Sequence, residues 1–310
     1  MSRTVALTGG TGFIGRCVMR RLLHAGWAVR ALTRAVQPAP ASSSPSLHWV
    51  RGSLEDREAL ARLLQGAFAV VHCAGAVRGR TAADFEPANV VGVSRLAEAA
   101  LAQTVPPRLL ALSSLAAREP GLSAYAASKR KGEVVLESLG GHLSWTVLRP
   151  PAVYGPGDRE LLPLFRLMAK GVAPILGPRQ ARFSLLYVED LADAVLSWLT
   201  LDECPRGIYT LHDGHENGYS WDEVAATMRS LRGRGVLVLP VPSWLLHTAA
   251  VGMTGWSRCT GAPPMLTPGK VRELRHPDWV CDNAAWQAVS GWVPQVEFVR
   301  GIRLTLAATD

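Results

Sequence analysis

The amino-acid sequence predicts an α/β fold, in which a doubly wound parallel sheet is followed by a smaller C-terminal lobe. Short β-branched runs alternate with helical patterns through the first half of the chain, as in a parallel sheet covered by helices. A glycine-rich stretch stands between the first strand and the first helix. After residue 158 proline and glycine become frequent, and seven of the ten tryptophans lie beyond residue 190.

Six strands are predicted in the first half of the chain. The helix after the first strand ends at Gly26, and an Ala/Leu-rich helix extends to about Ala102. Further along, "FSLLYVEDLADAVLSWL" predicts a strand that feeds a helix, and "GIYTLHDG" predicts another strand. The six early strands are expected at residues 4–8, 28–33, 47–52, 68–75, 108–114 and 144–150.

The stretch "TGGTGFIG" carries glycines at Gly9, Gly12 and Gly15. Glycine is needed where this turn is tight, where backbone approaches a pyrophosphate and where the helix packs on the strand. The helix that follows presents free N–H groups to an anion. Between a strand and a helix, the motif predicts a Rossmann-type dinucleotide site.

The residues after the second strand bear on the choice of dinucleotide. A carboxylate about 20 residues after the glycines favours NAD, whereas an arginine there favours NADP. No Asp or Glu precedes Glu55, and "LTR" ends the second strand with Arg34. We therefore expect NADP(H) as the cofactor, with NAD as the alternative.

Tyr125 stands four residues before Lys129 in "SAYAASKRKGE", so both side chains share one helix face. A free tyrosine, with a pKa of about 10, is a poor base at neutral pH, but a nearby ammonium lowers that pKa. "LALSS" supplies Ser113 and Ser114 at the end of the fifth strand, where ligands bind in doubly wound sheets. The pattern predicts hydride transfer at a carbonyl carbon, with a proton moved at its oxygen.

Together these motifs resemble the extended short-chain dehydrogenase/reductase superfamily, in its NAD-dependent epimerase/dehydratase group. The resemblance covers most of the chain and includes "VVHCAG", "NVVG", "YAASK" and "LRPPAVYGPGD". It implies that Tyr125 is the general acid/base, that Lys129 activates it and binds the nicotinamide ribose, and that Ser114 holds the substrate carbonyl. The cofactor-binding residues indicated by the motifs and the resemblance are Gly9, Thr11, Gly12, Phe13, Ile14, Gly15, Arg34, Ser53, Leu54, Ala74, Gly75, Ala76, Asn89, Ser113, Tyr125, Lys129, Pro150 and Val153.

Departures from the family pattern bear on the substrate. Nucleotide-sugar epimerases carry an Asn in an Arg-x-x-Asn pattern to hold the substrate pyrophosphate, and Ala152 stands at that position here. Arg182, in contrast, matches a basic position of those enzymes. Ser114 and Tyr125 are only eleven residues apart, a short spacing similar to that of atypical members such as the respiratory complex I accessory subunit, which bind NADPH without turnover.

The residues favour an NADP(H)-dependent oxidoreductase that acts on a small molecule carrying a secondary alcohol or ketone. Two alternatives stay open: a nucleotide-sugar epimerase or dehydratase, and an NADPH-binding scaffold or assembly protein without turnover. Long helices are expected around 84–103 and 123–139. They are long enough to pair with a second copy as a four-helix bundle, an arrangement common in this superfamily, so a homodimer is one expected state.

Residues 1–155 are expected to form the dinucleotide-binding domain, with 182–213 returning to it. Residues 156–181 and 214–310 then form the substrate-binding lobe. The stretch 236–255 is apolar, but Pro240, Pro242 and His247 interrupt it. We expect a buried strand, a turn and a short helix there rather than a membrane span, with contact at a membrane surface left open.

The composition argues against several classes of function. The net charge of +8 comes mostly from arginines spread along the chain, so no nucleic-acid partner is expected. The five cysteines lack a CxxC pair, which indicates reduced thiols. The N-terminus enters a strand without a signal peptide. These features predict a cytoplasmic protein.

Other motifs were weighed as sites. "HDGHENG" offers His212, His215 and Glu216, but without a further ligand cluster a polar loop is favoured and no metal is expected. Cys73 ends an apolar strand and is expected to be a small core residue. The chain lacks GxSxG and GxxxxGK[ST] motifs, so hydrolase and kinase functions are not predicted.

Overall fold

A parallel sheet lies at the centre of the computed structural model, which describes residues 3–35 and 44–308. The described strands are β1 Thr4–Thr8, β2 Ala28–Thr33, β3 Leu47–Arg51, β4 Ala69–His72, β5 Arg108–Leu112, β6 Trp145–Arg149, β7 Ala152–Tyr154, β8 Val172–Ile175, β9 Arg182–Phe183, β10 Leu185–Tyr187, β11 Gly207–Thr210, β12 Tyr219–Ser220, β13 Leu237–Pro240 and β14 Asp278–Trp279. Within these residues the main sheet has seven strands in the order β3-β2-β1-β4-β5-β6-β11, all paired in parallel. All six predicted early strands are present in this sheet, and the predicted fold class is confirmed.

Helices cover both faces of the sheet. They are α1 Phe13–His24, α2 Arg57–Leu64, α3 Ala82–Glu86, α4 Gly92–Leu101, α5 Ala124–Ser138, α6 Leu162–Ala169, α7 Val188–Thr200, α8 Trp221–Arg232, α9 Ser243–Thr260, α10 Pro268–Leu274, α11 Ala284–Ser290 and α12 Phe298–Ala307. Because side chains alternate along a strand, Val5 and Leu7 pack into the core layer of α1 and α7, while Ala6 packs into the layer of α2, α4 and α5.

The helix predicted around 84–103 is interrupted. A turn of π-helix, Pro87–Val91, separates α3 from α4 and contains the buried Asn89. A Cβ at Gly132 on α5 would lie 2.3 Å from the Asn89 carbonyl oxygen, so glycine at this position lets α5 approach the π turn closely. π turns inside helices are frequent at functional sites, and this one lies against the helix that carries Tyr125.

The lobe has its own aromatic core. Tyr154 is fully buried there, with its ring centroid 5.9 Å from that of Phe165 and 5.6 Å from that of Phe298. β9 pairs with β12 and β14 in a small sheet of the lobe. Later in the chain α7 packs on α1, and β11 pairs with β6 at the edge of the main sheet.

The prediction for 236–255 is wrong in two respects. β13 is mostly exposed instead of buried, and the helix that follows, α9, is 18 residues long instead of short. Of its residues only Leu246, Ala250 and Ser257 are buried. Even so, none of the helices in the described residues is long and apolar enough to cross a membrane.

Candidate active site

The glycine-rich loop is shaped by close backbone packing. Gly9 has a φ of 73°, and a Cβ there would lie 2.5 Å from the Ala74 backbone nitrogen. A Cβ at Gly15 would lie 2.1 Å from the Gly9 carbonyl oxygen. Both positions therefore require glycine, since any side chain would force β1, the loop and the start of α1 apart.

α1 begins at Phe13 with Gly12 as its N-cap, and no side chain caps it. Thr11 and Gly12 are exposed, whereas Phe13 and Ile14 pack partly against the core beneath. The first turn contains no acidic residue. The N–H groups at this helix end are therefore available to an anion and fit the pyrophosphate of a dinucleotide.

Residues at the ends of β2 and β3 lie at the side of this loop. Arg34 is exposed and forms no hydrogen bond or ion pair with the described part of the chain. The strand register places Arg51 opposite Thr33, next to Arg34. Ser53 accepts a hydrogen bond from the Glu55 N–H, and Leu54 packs beside Gly92. An exposed arginine therefore follows each of these two strand ends or stands in it, Arg34 after β2 and Arg51 at the end of β3, and sequence reasoning found only Arg34.

The backbone after β4 is held by Asn89. Its side-chain oxygen accepts from the Ala76 N–H at 2.8 Å, and its side-chain nitrogen donates to the Ala76 carbonyl at 2.9 Å and to Ser128 Oγ at 2.9 Å. Both amide atoms are thereby occupied, so Asn89 shapes the loop of Ala74, Gly75 and Ala76 through these bonds.

Lys129 lies at the carboxyl ends of β4 and β5. Its Nζ donates to the Leu112 carbonyl at 3.0 Å, and a Cβ at Gly75 would lie 3.1 Å from the same atom. Burial lowers the pKa of Lys129 to about 8, against an opposing effect of Glu133. Because this value is close to neutral pH, the ammonium is poised to gain or lose its proton near physiological conditions.

Tyr125 is one turn earlier on α5, with its ring edge-on to Phe85 at a centroid distance of 5.9 Å. Burial raises the pKa of Tyr125, while a side-chain hydrogen bond with Ser114 and the charge of Lys270 lower it. Ser114 also caps the short 3₁₀ turn that follows β5. The pKa of Tyr125 is therefore raised, although the sequence led us to expect that Lys129 would lower it, and the phenol holds its proton at neutral pH.

Ser113 points to a different partner. Its hydroxyl donates to Glu133 Oε1 at 2.5 Å, and the buried Glu133 also accepts from Arg149 Nε at 2.8 Å. Pro150 accepts from the Leu115 N–H at 2.8 Å, which holds the segment after Ser114. Val153 lies on β7 and packs partly against the main core. The hydroxyl of Ser113 is therefore engaged inside the protein.

A second lysine, from the lobe, acts on Tyr125. Burial lowers the pKa of Lys270, but the opposing effects of Glu273 and Tyr125 are larger. The net result is a raised pKa of Lys270. Lys270 Nζ lies 3.0 Å from Glu273 Oε2, and the other Glu273 oxygen accepts from the Ser123 hydroxyl. Ser123 is the N-cap of α5. Sequence reasoning missed this contact because residue 270 is far from Tyr125 along the chain, and no motif marks it.

The basic residue that resembled a nucleotide-sugar ligand is engaged elsewhere. Arg182 Nε donates to the Asn217 carbonyl at 2.6 Å, and its Nη2 donates to the Gly218 carbonyl at 2.8 Å. The same nitrogen lies 3.2 Å from Glu223 Oε2. All these partners belong to the lobe itself, so the Arg182 guanidinium is used to hold the small sheet to α8.

The other candidates have structural partners. The His212 backbone is bracketed by the Asn283 side chain, and the His215 ring stacks on Tyr219 at 4.4 Å. The described residues contain no group of three or more His, Cys, Asp or Glu side chains that could hold a metal ion. Burial raises the pKa of Cys73 to about 12, which makes its thiol a poor nucleophile.

The chain is similar to known proteins along nearly its whole length. The chain is 35% identical over 312 residues to the ceramide reductase of Caulobacter vibrioides, covering 94% of this chain and 96% of that protein. It is 25% identical over 270 residues to the UDP-glucose 4-epimerase of Vibrio cholerae, covering 79% and 80%. The structure of UDP-glucose 4-epimerase from Thermotoga maritima superposes with a TM-score of 0.75 at 21% identity, covering 99% and 98%.

The model of the NAD dependent epimerase/dehydratase family matches residues 5–210. This range contains the glycine-rich loop, Ser114, Tyr125 and Lys129. The relatives are named as reductases and epimerases. The chain is therefore an enzyme of the NAD-dependent epimerase/dehydratase family, within the extended short-chain dehydrogenase/reductase superfamily.

Proposed function

We propose that this enzyme is an NADP(H)-dependent ketoreductase whose substrate is a ketone within a lipid. Tyr125 is the general acid, Ser114 orients the carbonyl oxygen, and Lys129 supplies positive charge beside them. The observation that carries the proposal is the position of Tyr125 one helical turn before Lys129, whose Nζ donates to the Leu112 carbonyl at the end of β5, two residues before Ser114.

The raised pKa of Tyr125 determines the direction in which the phenol works best. A protonated phenol is ready to give its proton to a carbonyl oxygen. A dinucleotide held at the glycine-rich loop would supply the hydride for the carbonyl carbon. Tyr125 adds the proton at the oxygen, which yields a secondary alcohol, and the phenolate then regains a proton from solvent. Lys129 and Lys270 stabilise the transient phenolate electrostatically.

The preference for NADPH is proposed from the arginines beside the loop. Arg34 has no partner in the described part of the chain, and Arg51 lies next to it in the strand register. A guanidinium forms paired, charge-assisted hydrogen bonds with a phosphate. A 2′-phosphate at this edge therefore gains contacts that NADH lacks.

Three features favour a lipid ketone over a nucleotide-sugar. Ala152 offers no side-chain donor to a diphosphate, and Arg182 is held by Asn217, Gly218 and Glu223. The ring of Phe85 beside Tyr125 provides an apolar wall. The relative at 35% identity is named a ceramide reductase.

The test follows consumption of NADPH and NADH by the purified protein with a short-chain, water-soluble N-acyl amino ketone, and in parallel with UDP-glucose. We expect ketone-dependent oxidation of NADPH that is faster than that of NADH. Formation of UDP-galactose instead would contradict the proposal and favour an epimerase. Tight binding of NADPH with no turnover of any ketone would favour the scaffold.

The homodimer is also proposed, through α4 and α5. Val134 on α5 is 46% exposed, and Val91 at the start of α4 is 38% exposed. Burying such residues against a second copy removes apolar surface from water. Sedimentation equilibrium should give a dimer for the natural chain and a monomer for V134E; a natural chain that sediments as a monomer would contradict this.

A further inference from the structure

The exposed apolar residues of the chain are concentrated in one segment of the lobe. Among the described residues, eight of the 17 exposed large hydrophobic side chains lie between residues 237 and 265. Five of them are on α9: Trp244, Leu245, Val251, Met253 and Trp256. Trp244 is 67% exposed and Trp256 is 72% exposed. We call these five residues the α9 face.

The attachment of α9 leaves this face free. Leu246 and Ala250, one turn apart, pack with Val271 of α10 in a small cluster that holds the helix to the lobe. His247, Thr254 and Arg258 are spaced by seven and four residues, so they share another side of the helix. α9 therefore has a narrow anchoring stripe, a polar side and exposed apolar side chains over much of the rest of its circumference.

The stretch of sequence that contains α9 is basic. Residues 224–272 contain no Asp or Glu, and besides Lys270, whose charge is paired with Glu273, they contain five arginines: Arg229, Arg232, Arg234, Arg258 and Arg272. A basic segment with exposed tryptophans fits the surface of an anionic bilayer, where indole rings lie at headgroup level and cations attract the lipid phosphates.

The same charges argue against a second copy of the chain as the occupant. A two-fold dimer interface would place this patch against itself. The five arginines of this stretch in each copy would then be brought together with no carboxylate of the same stretch to compensate, which disfavours association.

The α9 face is joined to the catalytic site by short connections. Arg80 Nη1 lies 3.5 Å from the Ser257 carbonyl of α9, and Arg80 is five residues from Phe85, whose ring contacts Tyr125. α10, on which α9 packs, carries Lys270. A membrane in contact with α9 would therefore lie next to the segments that surround Tyr125.

We propose that the α9 face docks the enzyme on anionic membranes, so that a lipid reaches Tyr125 directly from the bilayer. The docking follows from the exposed residues and the charges alone; the delivery of a lipid rests on the proposed function.

The docking is tested by sedimentation of the purified chain with vesicles of phosphatidylcholine alone or with phosphatidylglycerol added. We expect binding to the anionic vesicles that falls as NaCl is raised. The affinity of the variant W244S/W256S for these vesicles should be lower by at least about tenfold. V251S should also bind more weakly, whereas V105S, at an exposed valine outside the segment, should bind like the natural chain.

Turnover of the water-soluble ketone is measured on the same samples. It should be unchanged in W244S/W256S, which shows that the variant is folded and separates docking from catalysis. The proposal is overturned if the natural chain binds neither vesicle, if W244S/W256S binds as well as the natural chain, or if that variant instead converts a dimer to a monomer. Loss of ketone turnover in every sample, with vesicle binding intact, would overturn the proposed function and not the docking.

Discussion

The two sides of Tyr125 are built differently. On the cofactor side, Lys129 comes from the same helix, and burial lowers its pKa to about 8. On the lobe side, Lys270 comes from α10, and Glu273 raises its pKa despite burial. One lysine is thus easily deprotonated, while the other keeps its charge because a carboxylate stands 3.0 Å away.

This difference assigns the two lysines different tasks. A lysine that titrates near neutral pH can exchange protons during turnover, whereas one paired with Glu273 supplies a constant field. Glu273 also accepts from Ser123, the N-cap of the catalytic helix. We therefore propose that the cofactor side takes part in chemistry, and that the lobe side positions α5 and adjusts the pKa of Tyr125.

Of the two lysines, the larger effect is expected from K129M, which removes the amine nearest the proposed cofactor site. We expect kcat to fall about a hundredfold or more, because the transient phenolate loses its stabilising charge. In the natural enzyme kcat should decrease above about pH 8, as Lys129 loses its proton. Initial rates across pH check this, with K131M, at an exposed lysine of the same helix, as the matched control. A K129M enzyme as fast as K131M would contradict the assignment.

His72, on the Lys129 side of Tyr125, should make the folding stability of the protein depend on pH. It is buried near Lys129, bonded at Nδ1 to Thr8 Oγ1 at 2.7 Å, and burial lowers its pKa from 6.5 to about 3. The His72 imidazole binds a proton below about pH 6.5 in the unfolded chain but not in the folded chain. The free energy of unfolding therefore decreases as the pH falls below about 6.5. Between pH 7 and 5 this costs about 2 kcal/mol.

Urea denaturation of the natural chain and of H72N at both pH values measures that cost. H72N should lose about 2 kcal/mol less between pH 7 and 5, because it has no imidazole to protonate. Equal losses in the two proteins would show that His72 does not carry the dependence.

A substitution at Arg34 tests the proposed contact with the 2′-phosphate of NADPH. In R34Q the KM for NADPH should rise about tenfold, since a charge-assisted hydrogen bond to a phosphate is lost. The KM for NADH should not change. Steady-state kinetics with both cofactors check this, with R300Q as the control at an exposed arginine of the lobe. If R34Q weakened both cofactors equally, Arg34 would not read a 2′-phosphate.

The smallest effect is expected on the lobe side. K270M should lower kcat about fivefold, because the ammonium acts on Tyr125 only through its charge, which Glu273 partly balances, and it should raise the pKa of Tyr125. K270R should restore both the rate and the pH profile. A drop in rate that K270R does not restore would indicate that the methylene stem packs the lobe and that the charge has no role.

The sequence predicted the cofactor side far better than the lobe. The strands and the spacing of Tyr125 and Lys129 are local patterns in the sequence. A parallel sheet then places the carboxyl ends of its strands at the same edge. Lys270 reaches Tyr125 only through the packing of α10 on α5, which no local pattern encodes. The hydropathy of 236–255 is the same whether α9 is buried or exposed, so periodicity could not separate the two. The one pattern in the sequence that could have pointed to an exposed surface is the lack of Asp and Glu in residues 224–272.

The central claim is that the Tyr125 phenol donates the proton to a carbonyl oxygen. The most direct measurement compares Y125F with the natural enzyme in ketone-dependent NADPH oxidation, together with NADPH affinity from tryptophan fluorescence. Phenylalanine keeps the ring against Phe85 and removes only the hydroxyl, so kcat should fall about a thousandfold while NADPH binds within about twofold of the natural affinity. A Y125F enzyme that reduces the ketone at the natural rate would contradict the account.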